Sequence, residues 1–172
     1  MSKNLKIGLF GFGVVGQGLL DIIQSQNLNL EIIKIAIKDP RKKRTLDKDL
    51  FTTDRNEILN NTEINTIVEL INDAEAAYEI VTTALKNGKN VVSANKKMIA
   101  THLAELVALQ QEHGTSLLYE GAVCGSIPII RNLEEYYDNE LFHALSGIFN
   151  GSSNYILSKI FNEDQSYNSA LK

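Results

Sequence analysis

Short apolar runs alternate with stretches of helical periodicity along most of the chain. Leu5 to Phe10 is a mostly apolar run of strand length, and after a glycine-rich turn Val14 to Gln26 carries apolar residues at helical spacing. Leu30 to Ile37 is rich in β-branched residues and too short for a helix, which predicts a strand buried on both faces. Lys38 to Asp49 is polar and predicts a surface loop. Ile64 to Ile71 predicts the next strand. Asp73 stands where it can cap an amphipathic helix through Lys86, with Gly88 as its left-handed stop. Asn90 to Ser93 predicts a strand, Asn95 opens a helix to about Glu112 that Gly114 ends, and Ser116 to Tyr119 predicts one strand more. Strands alternating with helices at this spacing predict an α/β fold, a parallel sheet with helices on both faces.

From Glu120 the rhythm changes. Gly121, Gly125 and Pro128 interrupt a loop, Ile129 to Tyr137 predicts a helix, Phe142 to Phe149 a strand in a different layer, and Asn154 to Phe161 a further helix before the polar stretch Asn162 to Asn168. A junction between about Glu120 and Glu134 follows, with one domain over 1–133 and the opening of a second, of α+β type, over 134–172.

Composition narrows the class. With 44% apolar and 22% charged residues in 172, the chain can bury a proper core, which excludes intrinsic disorder. A net charge of −4 argues against a broad nucleic-acid-binding face, which needs clustered Lys and Arg. One cysteine, Cys124, can build neither an internal disulfide nor a zinc or two-thiol site, and fits a reducing, cytoplasmic location. Lys3 and Lys6 before an apolar run imitate a signal peptide, but five glycines crowd that run, Asp21 follows it and no small-residue cleavage site appears; no other run approaches 18 apolar residues, so no membrane span is expected. His102, His113 and His143 lack partners at metal spacing and read as structural.

The clearest motif is Gly11-Phe12-Gly13-Val14-Val15-Gly16, set between a predicted strand and a predicted helix. In a Rossmann-type fold the first glycine permits the tight turn, the second lets the backbone approach a pyrophosphate and the third lets the helix pack on the strand, while the helix N-terminus offers N–H groups to the phosphates. Domain 1–133 is therefore read as dinucleotide-binding. The end of the second strand offers both a cation, Lys38, and a carboxylate, Asp39, followed by Arg41 to Arg44. A cation there accommodates the 2′-phosphate of NADP and a carboxylate the ribose of NAD; we expect Lys38 and Arg41 to bind the 2′-phosphate, against the alternative of a solvated charged loop. In Ser93-Ala94-Asn95-Lys96-Lys97, two lysines oppose a helix dipole at the sheet edge facing the ligand crevice. Lys96 is either a substrate or proton-transfer group near the nicotinamide or a solvated surface lysine; for Lys97 the surface reading is favoured.

Three segments resemble homoserine dehydrogenases: Val91-Val92-Ser93-Ala94-Asn95-Lys96, Tyr119-Glu120-Gly121-Ala122-Val123-Cys124-Gly125-Ser126-Ile127-Pro128-Ile129-Ile130, and Gly147-Ile148-Phe149-Asn150-Gly151-Ser152-Ser153-Asn154-Tyr155-Ile156-Leu157. The resemblance spans Ile7 to Leu157. It implies NAD(P)-dependent interconversion of aspartate 4-semialdehyde and homoserine, on the route to threonine and methionine, with Lys96 as the active-site lysine beside the cofactor and Ser93 contacting the cofactor through its backbone. It also implies a sodium ion held by the main-chain carbonyls of Glu120, Val123, Gly125 and Ile127, which suits a hard cation, and a homodimer in the full-length protein. Gly147 to Asn154 is expected to line a crevice between domains, the alternative being a capped helix start. Asn72 and Asp73 depart from the family's paired glycines. The family's acidic substrate-binding segment and principal proton-donating lysine lie beyond Lys172, so the piece is expected to bind cofactor with little turnover. A non-catalytic dinucleotide-binding or redox-sensing module stays open. An aspartate-semialdehyde dehydrogenase would need a nucleophilic cysteine in a polar motif, which Cys124 between Val123 and Gly125 does not offer.

Overall fold

The computed structural model describes residues 4–26, 28–125 and 127–172; Lys3, in the leader-like start, and Ser126, in the second family segment, lie outside them. Two compact units result, Met1–Ala122 and Val123–Lys172.

The first unit is built on six parallel strands, β1 (Leu5–Phe10), β2 (Leu30–Ala36), β3 (Phe51–Thr52), β4 (Thr66–Glu69), β5 (Asn90–Ser93) and β6 (Leu117–Leu118), in the spatial order β3-β2-β1-β4-β5-β6. The chain winds outward from β1 to β3, returns to place β4 on the other side of β1, and winds outward again. This is the doubly wound Rossmann topology that the alternation of elements predicts. Side-chain alternation along the strands feeds two cores. On one face Ile7, Leu9, Ile35 and Val68 pack with Ile23 of α1 (Val14–Ser25). On the other, Phe10, Ile67, Val91 and Leu117 pack with α2 (Asn56–Leu59), α3 (Ala74–Lys86) and α4 (Lys96–Glu112). Ile58, Ile64, Ile67, Leu85 and Leu106 are fully enclosed, and each stabilises the fold by roughly 1.5–3 kcal/mol relative to an exposed position. Toward the far edge the α1-side face thins out, leaving Val92 and Leu118 exposed.

The caps fall where the sequence places them. Asp73 Oδ1 accepts from the N–H groups of Glu75 and Ala76, both at 3.1 Å. At the other end of α3, Gly88 at φ +72° lets its own N–H reach Leu85 O and that of Lys89 reach Ala84 O, both at 3.0 Å, a Schellman ending. Lys89 is buried at the amino end of β5, where its ammonium donates to Asn61 O and Ile64 O, each at 2.6 Å. Burial pushes its pKa down.

Three features differ from the sequence reading. β4 is half the predicted length, because Asn65 and Leu70 to Asn72 serve as its flanking turns. The two-residue β3 and one-turn α2 carry too few residues for either periodicity to register. The predicted strand Phe142 to Phe149 is corrected: residues 142–150 carry no regular structure and are exposed. Its apolar content suits a strand, but a strand needs a neighbour to take its backbone hydrogen bonds, and no strand occurs among the described residues of the second unit. That unit comprises α5 (Ile129–Tyr136), α6 (Gly151–Glu163) and α7 (Tyr167–Ala170). Asn150 caps α6 by accepting from Ser153 N–H at 2.8 Å, so the helix begins three residues before the predicted Asn154.

Candidate functional site

The strand order reverses beside β1, so the carboxyl ends of β1 and β4 border the crevice where ligands enter sheets of this kind. The turn leaving β1 is anchored on both sides: Gly11 N–H donates to Ala36 O at 3.1 Å, and Leu70 N–H to Phe10 O at 2.8 Å. Gly11 has φ +96°, and a Cβ there would lie 2.9 Å from Leu70 O. A Cβ on Gly16 would lie 2.6 Å from Gly11 O. Both glycines are therefore demanded by the fold itself. Gly13 is different. It caps α1 with φ −88° and ψ −155°, which any residue adopts, and a Cβ there would meet nothing within 4 Å. Packing does not require a bare backbone at Gly13; glycine is a tolerated N-cap, and its absent side chain leaves the backbone open to a ligand.

The start of α1 supports that reading. It has no side-chain cap and no acidic residue in its first turn, and Val14 is 88% exposed. Unscreened N–H groups and the positive end of the helix dipole thus face an open approach, an arrangement that favours a diphosphate. Phe12, half-buried, packs edge-on to Phe51 with ring centroids 5.5 Å apart, fixing the turn to β3.

Beyond β2, Lys38 and Asp39 are exposed on the β2 side of the crevice. Arg41 is turned toward Asp39, with Nε 3.1 Å and backbone N–H 2.9 Å from Oδ1. These bonds, the guanidinium's first, hold the Asp39 carboxyl below the ordinary carboxylate range. Arg44 donates to Asp39 O and Lys42 O at 3.0 and 2.8 Å, and its guanidinium lies 5.2 Å from the Phe51 ring centre. Together Arg41, Lys42, Lys43, Arg44 and Lys48 border a cavity of about 690 Å³ floored by Ile37 and Phe51. Lys38 does not line it.

At the ends of β4 and β5 stands a group that the sequence reading missed. Glu69 is 0% exposed; its Oε1 accepts from Ile71 N–H at 2.7 Å and its Oε2 from Ser93 Oγ at 2.5 Å. Burial pushes its pKa up, opposed by those two bonds. The available signal was a lone carboxylate within the apolar run Ile64 to Ile71. Ser93 Oγ in turn accepts from Asn95 N–H at 3.1 Å, and Asn95 caps α4 through Met98 N–H at 3.0 Å. Lys96 is the first residue of α4 and is exposed. Asp73, where the family's second glycine is expected, is occupied as the cap of α3.

Of the four residues expected at a sodium ion, Glu120 lies in a short 3-10 turn of the first unit. Val123, Gly125 and Ile127 belong to the second, where Gly125 has φ +64° and Ile127 N–H donates to Cys124 O at 3.2 Å. Among the described residues no group of three or more His, Cys, Asp or Glu side chains gathers as metal ligands. His102 instead stacks on Tyr78 at 4.0 Å. No helix among the described residues is long and apolar enough to cross a membrane.

Sequence comparison matches residues 11–120 to the family model of the homoserine dehydrogenase NAD binding domain. The chain belongs to the homoserine dehydrogenase family. A second homoserine dehydrogenase model matches residues 128–172. The Bacillus subtilis homoserine dehydrogenase is 34% identical over 180 residues, covering 99% of this chain and 42% of the relative. The chain thus spans about two-fifths of the length of the curated relatives it matches. The crystal structure of a homoserine dehydrogenase from Thiobacillus denitrificans superposes with a TM-score of 0.86 at 35% identity, over 97% of this chain and 41% of that one. A hyperthermophilic archaeal homoserine dehydrogenase solved in complex with NADPH has a TM-score of 0.78 at 26% identity, over 97% of this chain and 59% of that one.

Proposed function

We propose that this chain is the cofactor-binding part of an NAD(P)-dependent homoserine dehydrogenase that interconverts aspartate 4-semialdehyde and homoserine in the biosynthesis of threonine and methionine. The observation that carries the reading is the bare backbone at Gly13: the fold leaves it open at the switch point of the sheet, beside an uncapped helix start. Gly11 to Gly16 hold the pyrophosphate, and the NADPH bound by the archaeal relative supports a dinucleotide there. Bound nicotinamide supplies hydride exchange with the substrate carbonyl carbon. The chain's own part is to orient that ring and to place a positive charge or a proton near the carbonyl oxygen. Ser93, through its backbone, serves the first task and Lys96, the proposed catalytic residue, the second.

Lys38 and Arg41 take the 2′-phosphate, giving NADP a modest preference over NAD. The basic rim of the cavity beyond β2 supports Arg41, which borders it, while Lys38, outside that rim, is supported by its place at the end of β2. Arg41 must exchange Asp39 for the phosphate, which keeps the preference modest, since the ionised Asp39 repels the incoming anion. The carbonyls of Glu120, Val123, Gly125 and Ile127 hold a sodium ion, a proposal supported by family membership and by the suitability of carbonyl oxygen for a hard cation. The full-length enzyme works in the cytoplasm as a homodimer on a small-molecule substrate, binds neither nucleic acid nor membrane, and gains most of its turnover from residues outside this chain.

Calorimetric titration with NADPH and NADH at two salt concentrations tests the reading. Both bind, NADPH more tightly and with the steeper salt dependence, and Lys38→Ala weakens NADPH about tenfold while sparing NADH, the value of one charge-assisted contact. Equal affinities would remove the 2′-phosphate assignment, and binding of neither would remove the dinucleotide.

A further inference from the structure

Glu69, Ile71, Ser93 and Asn95 close a loop of hydrogen bonds at the carboxyl rim of the sheet. Ile71 N–H donates to Glu69 at 2.7 Å and Ser93 Oγ to Glu69 at 2.5 Å; Asn95 N–H donates to Ser93 Oγ at 3.1 Å, and Asn95 Nδ2 returns to Ile71 O at 3.1 Å. Asn95 Nδ2 lies also 3.4 Å from Asp73 O, while Asn95 Oδ1 takes Met98 N–H at 3.0 Å. The three side chains are 0%, 1% and 6% exposed for Glu69, Ser93 and Asn95, so water does not compete for these bonds. Two of these links, Ser93 Oγ to Glu69 and Asn95 Nδ2 to Ile71 O, join the end of β4 to the end of β5, the other two brace each end on itself, and the loop ends on the residue before Lys96.

A carboxyl group is a costly way to tie two turns together, since an uncharged side chain avoids the desolvation of an ion. Its use is geometric. Two separate oxygens accept one main-chain N–H and one hydroxyl at once, so the angle between the two turns follows from a single rigid planar group. The same rim segment is pressed against the glycine turn, where Leu70 O sits 2.9 Å from the place of a Gly11 Cβ and Leu70 N–H bonds to Phe10 O at 2.8 Å. The glycine turn thus holds the near side of the β4 turn in place, and a shift on its far side is passed through Asn95 to the start of α4.

On the reading above, the adenosine half of the dinucleotide lies beyond β2 and the nicotinamide half crosses β4 toward β5. We propose that Glu69 is a positioning residue for the nicotinamide half: by bridging Ile71 N–H and Ser93 Oγ it fixes the two turns over which that ring is seated and the origin of Lys96. The proposal rests on the dinucleotide reading. Its role is absent from the adenosine half, which is anchored by the β2 end and the start of α1.

The test compares two probes on the full chain, NADPH and 2′-phospho-ADP-ribose, which keeps the adenosine and diphosphate but lacks nicotinamide. Ser93→Ala and Glu69→Ala weaken NADPH about tenfold, the value of one hydrogen bond to a charged group, and shift the emission of the bound nicotinamide, while 2′-phospho-ADP-ribose binds as to wild type. Glu69→Gln restores NADPH affinity to within about twofold, because its amide oxygen accepts from Ile71 and its NH2 meets the hydroxyl of Ser93. Thermal unfolding of each variant accompanies the titrations; Ser93→Ala and Glu69→Gln carry the test if Glu69→Ala fails to fold. Equal weakening of both probes shows that the loop serves only to hold the fold, and unchanged NADPH binding shows that it serves no seat; either overturns the proposal. Failure of wild type to bind either probe overturns the dinucleotide reading and this inference with it.

Discussion

Gly13→Ala separates the demands of the fold from those of the ligand, because the structure predicts a small effect on the first and a large one on the second. The backbone at Gly13 is extended, with φ −88° and ψ −155°, and an added Cβ has no atom within 4 Å. Alanine therefore enters without strain and removes conformational freedom from the unfolded chain, a gain of about 0.4–1 kcal/mol that is offset by its poorer standing than glycine at an N-cap. The ligand-free protein thus keeps its stability to within about 1 kcal/mol, a Tm change of no more than about 4 °C. The methyl group occupies the space through which a diphosphate reaches the helix start. Loss of one N–H contact to a charged phosphate, about 1.5–3 kcal/mol, weakens NADPH roughly tenfold to a hundredfold. Gly16→Ala supplies the contrast: its Cβ would sit 2.6 Å from Gly11 O, and overpacking of that kind costs about 1–3 kcal/mol. The assay is thermal unfolding without ligand followed by calorimetric titration with NADPH, for wild type and both variants. A Gly13→Ala protein that melts as low as Gly16→Ala, or that binds NADPH equally well, refutes the reasoning.

Lys89, whose pKa burial lowers from the ordinary 10.5, is more easily protonated in the unfolded chain, so stability rises with pH between its folded value and 10.5. Urea unfolding from pH 7 to 10 shows that slope in wild type and loses it in Lys89→Met. Glu69 has the opposite sense: its pKa is raised from 4.5, so the folded chain holds the proton more tightly. Its contribution is greatest below pH 4.5 and is lost as pH rises through the folded value, a slope that Glu69→Gln removes in unfolding measured from pH 4 upward. Asp73→Ala leaves the N–H groups of Glu75 and Ala76 without their acceptor and lowers stability by about 1 kcal/mol, read from the circular dichroism melt.

Much of the first unit was legible because its signals are local. Asp73, Asn95, Gly88 and Gly114 mark helix ends by side-chain chemistry alone, and β1, α1 and α3 carry enough residues for periodicity to register. Phe142 to Phe149 misled for a physical reason: apolar content describes what a strand could bury, whereas a strand forms only where a partner completes its ladder. The glycine turn was visible as spacing, yet the spacing treats three glycines as equals. Only coordinates separate Gly11 and Gly16, which the backbone requires, from Gly13, which it does not. The Asp39–Arg41 pairing and the Glu69 loop were illegible because each depends on which neighbours a turn brings within reach. The residues expected beside them, Lys38, Ser93 and Lys96, were found through charge and resemblance, and both signals are silent about buried partners.

The two borders of the sheet are clasped by buried side chains of opposite hydrogen-bonding kind. At the carboxyl end the Glu69 carboxyl accepts from Ile71 N–H and Ser93 Oγ, and at the amino end the Lys89 ammonium donates to the carbonyls of Asn61 and Ile64. The molecule thereby has a built-in polarity along its strands, and exchanging the two residues would leave each facing groups of its own electrostatic kind.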